Sequence, residues 1–166
     1  MAERDAASAD LLVLAEEIRA DREALDRHLA VGRDALASAP WPEASPTLAV
    51  VAVALHHYYG AAESVFERVA RAFEGAPARS DRWHQDLLER MTLALDNVRP
   101  AVLRRETARA LSPVLGFRHF FRHAYAVAFD ARRLQLAVED AQRAHALLSE
   151  DLDALDRTLR AAARSQ

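Results

Sequence analysis

Apolar residues recur at helical spacing along almost the whole chain, and nowhere does the pattern settle into the strict alternation of a strand. Leu11, Leu14, Ile18, Leu25 and Leu29 form one stripe and predict a first helix over residues 8–37. The run Ala39-Pro-Trp-Pro-Glu-Ala-Ser-Pro46 breaks it, and a second helix is expected from Thr47 to Glu74. A third covers residues 81–95, after the Gly75, Pro77 and Ser80 signals. A kinked segment follows from Pro100 and breaks near Pro113. With Ser112 as N-cap and Pro113 pre-set for a first helical position, a fourth helix is expected over residues 113–129. The last runs over residues 131–163, with Leu134, Val138, Leu147, Leu152, Leu155 and Leu159 on its buried side. Long helices joined by short loops predict an all-α, up-and-down bundle of about five helices, and the length fits a single domain over residues 1–166.

Composition narrows the class. The chain is 51% hydrophobic with only four glycines, which suits one substantial helical core. It has no cysteine, so disulfides and thiolate chemistry are excluded. The charged start Met1-Ala-Glu-Arg-Asp-Ala-Ala lacks the apolar core of a signal peptide, and no run approaches a membrane span; a cytoplasmic location without membrane association is expected.

The net charge of −3 hides a strong asymmetry. Residues 1–98 hold ten arginines against seventeen acids, whereas residues 99–133 hold eight against only Glu106 and Asp130. A local basic block in an acidic protein suits a phosphate-bearing ligand met at one place. The plainer alternative is that Arg99, Arg104, Arg105 and Arg109 form a solvated helix face.

Within that block, Gly116-Phe-Arg-His-Phe-Phe-Arg-His-Ala-Tyr125 concentrates the useful chemistry. An arginine forks two donors onto phosphate oxygens, and a histidine can take a proton from a ribose hydroxyl. Arg118 and His123 supply that pair. The same spacing occurs at Arg79 and His84, but those residues straddle a helix start and read as an accidental match. At about 100° per residue, Arg122, His119 and His123 fall near 40°, 100° and 140° from Arg118, with Tyr125 near −20°. Val114, Phe117, Phe121, Ala124 and Ala128 take the opposite side, so the basic face is expected to look outward. An arc of about 140° between Arg118 and His123 prevents one helix from closing both on one phosphate. A groove between two copies, in a C2 homodimer, is the arrangement that meets this need.

These features in this order resemble the HEPN superfamily, and within it the HepT-like toxins. The likeness rests on R-x4-6-H with a tyrosine two residues after the histidine, matched by Arg118, His123 and Tyr125. It rests also on the aromatic and acidic segment Leu55-His-His-Tyr-Tyr-Gly-Ala-Ala-Glu-Ser-Val-Phe-Glu-Arg-Val-Ala70, on Trp83-His-Gln-Asp-Leu-Leu-Glu-Arg-Met91 and on Arg99-Pro-Ala-Val-Leu103. His119 stands where that superfamily often carries a polar amide. The resemblance covers most of residues 10–160 and implies metal-independent cleavage of RNA by a homodimer, with no cofactor and no metal. It further implies a nucleotidyltransferase antitoxin as partner, which modifies Tyr125 with nucleotide.

For such cleavage, His123 would serve as base and Arg118 would stabilise phosphoryl charge, with Arg122 and His119 binding the substrate. Tyr58 and Tyr59 either stack a base or fill the core. A rival reading starts from His119 and His123, an i, i+4 pair that could chelate a metal with His56, His57 or His84 as third ligand, as in DinB-like bundle enzymes. A third reading is a non-catalytic bundle that binds nucleotide or protein through the same groove.

Overall fold

The computed structural model describes residues 2–38, 45–75, 82–123 and 129–165, with the side chains of residues 2–4 and 123 left undescribed. These residues form five α-helices: α1 (Ala2–Ala37), α2 (Pro46–Glu74), α3 (Trp83–Arg90), α4 (Arg105–His123) and α5 (Ala131–Ser165). The all-α bundle expected from periodicity is the observed architecture.

The most apolar helix, α2, lies at the centre and packs on all four others. Its buried face includes Leu48, Val51, Leu55, Tyr58, Tyr59, Val65, Phe66 and Val69. Ser45 caps its start by accepting from the Thr47 amide, Pro46 takes the first turn, and Gly75 ends it at φ 80°, where a side chain would be strained. Ion pairs record the antiparallel order: Arg68 of α2 joins Glu17 and Asp21 of α1, while α1 meets α5 through Arg22–Asp153 and Glu16–Arg160. Leu14, Ile18 and Leu25 from α1 and Leu134, Val138, Leu148, Leu152 and Leu159 from α5 close the core. Tyr58 and Tyr59 belong to that core and do not offer a base-stacking surface.

α1 begins at Ala2, six residues ahead of the expected start, and two further helix boundaries differ because of a distant carboxylate or arginine. The third helix stops at Arg90, short of residue 95, because Arg99 folds back on its C-terminal end. The Arg99 guanidinium is 1% exposed, pairs with Glu74, and donates to the carbonyls of Arg90, Leu93 and Pro100. A cation that satisfies terminal carbonyls ends a helix at that point. Asn97 turns the chain at φ 59°, a conformation asparagine tolerates.

The motif helix, in contrast, begins at Arg105 and runs through Pro113 without breaking. Asp151 of α5 explains the early start: its carboxylate accepts from the Arg104 amide (3.0 Å), Arg104 Nε (2.6 Å) and Thr107 Oγ1 (2.5 Å). The negative charge thus meets the helix's open N-terminal amides. Thr107, Leu111 and Val114 are buried at helical spacing and hold the same helix on both sides of the exposed proline.

Candidate functional site

The central helix places His56, Tyr59 and Glu63 on one face, each about one turn from the next. Glu63 is an acid on an otherwise apolar stripe, and its side chain is 9% exposed. Burial of a carboxylate there requires cationic and hydrogen-bonding partners. Two other helices supply them. Arg118 Nη2 from α4 lies 2.8 Å from Glu63 Oε2, and His84 Nδ1 from α3 hydrogen-bonds Glu63 Oε1.

Arg118 therefore does not join an outward face. Its side chain is only 12% exposed, with the guanidinium carbon 5.8 Å from the centre of the Tyr59 ring. Glu63 turns the long side chain inward. Arg118 Nη1 is 3.2 Å from His84 Nδ1 and 3.3 Å from Nε2. Such nearly equal distances in the ring plane would drive Nη1 into Cε1, so the guanidinium lies over the imidazole face, a stacking for which arginine is suited.

Arg122, one turn further along α4, is exposed and brings Nη1 to 3.4 Å from His84 Nε2. Both arginines of the motif thus converge on a histidine from another helix. His56 lies below: its ring is 5.0 Å from that of Phe121, and its Nδ1 is buried without a hydrogen-bond partner among the described residues, as is Arg118 Nε. Burial, reinforced by the positive charge of Arg118, His57 and Arg122, holds His56 below the usual imidazole range. Tyr59 is pushed above the usual phenol range by burial first and by Glu63 next, with Arg118 acting in the opposite sense.

Of the site residues expected from sequence, Arg118 and Arg122 come together, while His119 is exposed on α4. His123 is the last described residue of that helix. Its side chain and the whole of Tyr125 lie outside the described residues, as does Arg79. Among the described residues, no group of three or more His, Cys, Asp or Glu could hold a metal ion, and the His119–His123 pair falls outside that comparison.

His84, read from sequence only as half of an accidental match with Arg79 or as a third metal ligand, meets Arg118, 34 residues later. Glu63 carried a signal, an acid on a buried stripe, but nothing local named its partners. The basic block also changes meaning. Arg99 is buried against Glu74 and Arg118 against Glu63, whereas Arg104, though paired with Asp151 and Glu150, stays exposed, as do Arg105 and Arg109. Those two line a cavity of about 590 Å³ beside α3, which also contains Asp86 and Glu89. None of its lining residues belongs to the arginine site.

A family model described as HepT-like protein matches residues 50–159. The chain belongs to the HepT-like family. The matched span runs from α2 to α5 and contains Glu63, His84, Arg118, Arg122 and His123. No curated protein and no solved structure matches the chain. No described helix of this HepT-like protein is long and apolar enough to cross a membrane.

Proposed function

We propose that this HepT-like chain is a toxin: a metal-independent endoribonuclease that cleaves RNA by transesterification in a basic groove formed by a homodimer. The observation that carries the proposal is the setting of Arg118, whose guanidinium is oriented by Glu63 and His84 beside the exposed Arg122. Donors held in place before the substrate arrives require little reorganisation as charge develops on the phosphoryl oxygens. His123 takes the proton from the attacking 2′-hydroxyl, and His119 and Arg122 bind neighbouring phosphates. The angle of about 140° between Arg118 and His123 on the α4 wheel favours a C2 groove in which the two copies face each other.

The partner is a nucleotidyltransferase antitoxin that neutralises the enzyme by adding nucleotide to Tyr125. Added negative charge two residues from His123 opposes the approach of RNA.

Cleavage of a defined RNA by the purified chain tests the proposal. Arg118→Lys and His123→Ala should each lose about 10²–10³ in rate, and wild-type activity should persist in EDTA. Reversible loss on chelation would overturn the metal-independent mechanism. A monomer by sedimentation with full activity would overturn the shared groove. Co-expression with the antitoxin, followed by intact mass, should show a nucleotide increment on wild type that is absent from Tyr125→Phe. Equal increments on both proteins would remove Tyr125 as the acceptor.

A further inference from the structure

Cleavage by transesterification needs two proton transfers, and His123 serves only one of them. The 2′-oxygen loses a proton and bonds to phosphorus; the bond from phosphorus to the 5′-oxygen breaks, and that oxygen must gain a proton. We propose that His84 of α3 is the second catalytic residue, the general acid that protonates the 5′-oxygen, and that Glu63 is its positioning residue. The inference rests on the nuclease reading but on residues outside the R-x4-H motif.

Three observations carry it. Glu63 Oε1 accepts from His84 Nδ1, which commits that nitrogen as a donor and leaves Nε2 as the working atom. A buried carboxylate on one ring nitrogen also locks the orientation of the ring, the role an acid plays behind a catalytic histidine. Second, Nε2 stays available. Arg118 lies over the ring and leaves open the in-plane direction at Nε2, where the acid form carries its proton, and the 3.4 Å contact from Arg122 is long enough for a substrate oxygen to replace. Third, the ring remains 29% exposed although Glu63 beneath it is buried, so solvent and substrate reach the imidazole but not its anchor.

A phosphate held by Arg118 and Arg122 therefore sits against His84 Nε2. In the step, the protonated ring gives its Nε2 proton to the departing 5′-oxygen and keeps Nδ1–H on Glu63. His123 gains the 2′-hydroxyl proton, and exchange with water resets both rings. The products are a 2′,3′-cyclic phosphate and a 5′-hydroxyl.

Substrate chemistry separates this role from a structural one. A thiolate leaves without being protonated, so an RNA carrying a single 5′-bridging sulfur at the cleaved position bypasses the acid. The main variant is His84→Asn, whose amide nitrogen can still donate to Glu63 in place of Nδ1 while nothing replaces Nε2; His84→Ala is the second. On the oxygen substrate His84→Asn should lose about 10²–10³ in rate, and on the sulfur substrate it should return to within about tenfold of wild type. His123→Ala should remain deficient on both, since the base is still required.

An equal deficit of the folded His84 variants on both substrates overturns the assignment of His84 while leaving the nuclease intact. A wild-type chain that cleaves neither substrate overturns the nuclease reading, and this proposal with it. If both variants lose their helical circular-dichroism signal, His84 is a structural residue and the proposal fails.

Discussion

Replacement of Arg118 by methionine should destabilise the fold as well as stop catalysis, contrary to what an outward-facing arginine would do. The methionine keeps an apolar stem over Tyr59 but strands the Glu63 carboxylate, whose side chain is 9% exposed. Removal of one member of a buried pair costs about 3–5 kcal/mol. Glu63 retains His84, and both members keep about a tenth of their exposure, so about 2–3 kcal/mol is expected. For a chain of this length that corresponds to about 4–12 °C in Tm. Glu63→Gln should cost a similar amount, because the guanidinium then loses the carboxylate that pairs with it among the described residues, where its Nε already lacks a partner. The double variant should cost less than the sum of the singles by about 1–3 kcal/mol, since the two residues share one interaction. Urea unfolding followed by far-UV circular dichroism at pH 7 gives the four values. Repetition at about 1 M salt separates a buried pair from a screened surface one, and the coupling should survive. Additivity within about 0.5 kcal/mol, or an Arg118→Met variant as stable as wild type, would refute the buried-pair reasoning.

Asp151→Ala should destabilise the protein by about 3 kcal/mol, because it removes charge-assisted bonds to Arg104 and Thr107 and uncaps α4; equal midpoints in urea would count against it. His28 and His56 are both held below the usual imidazole range, chiefly by burial, so the unfolded chain takes up these protons first as pH falls. Stability from their neutral burial is therefore present above about pH 6.5 and is lost below it. The decline in unfolding free energy from pH 7 to pH 5 should be shallower in a His28→Asn/His56→Asn variant than in wild type, and an unchanged slope would refute the assignment. Burial raises the phenols of Tyr58 and Tyr59. Neither should ionise before alkaline unfolding, so Tyr58→Phe and Tyr59→Phe should leave the pre-unfolding absorbance titration near 295 nm unchanged.

The residues of the chain by themselves determined the class and most of the scaffold. Apolar spacing of three and four placed α2, α5 and the end of α1 to within two residues, because burial of one stripe is a local demand that any helical neighbour can meet, while α1 starts six residues early at Ala2. Local signals also marked Ser45-Pro46 and Gly75 as boundaries, since capping and positive φ are properties of a few adjacent residues. The motif Arg118 to His123 was legible for the same reason. Tertiary structure alone decided where the charges go. Asp151 lies 44 residues from Thr107 and moves the start of α4 ahead of Pro113; Arg99 lies nine residues beyond Arg90 and ends α3 early. Glu63 and His84 lie 55 and 34 residues from Arg118, and only the packing of α2, α3 and α4 brings them together. A buried charge finds its partner through space, so no periodicity along the chain reveals the pair. Of the basic face drawn on a helical wheel, Arg118 turns inward because a carboxylate from another helix stands beneath it, while His119 and Arg122 stay exposed.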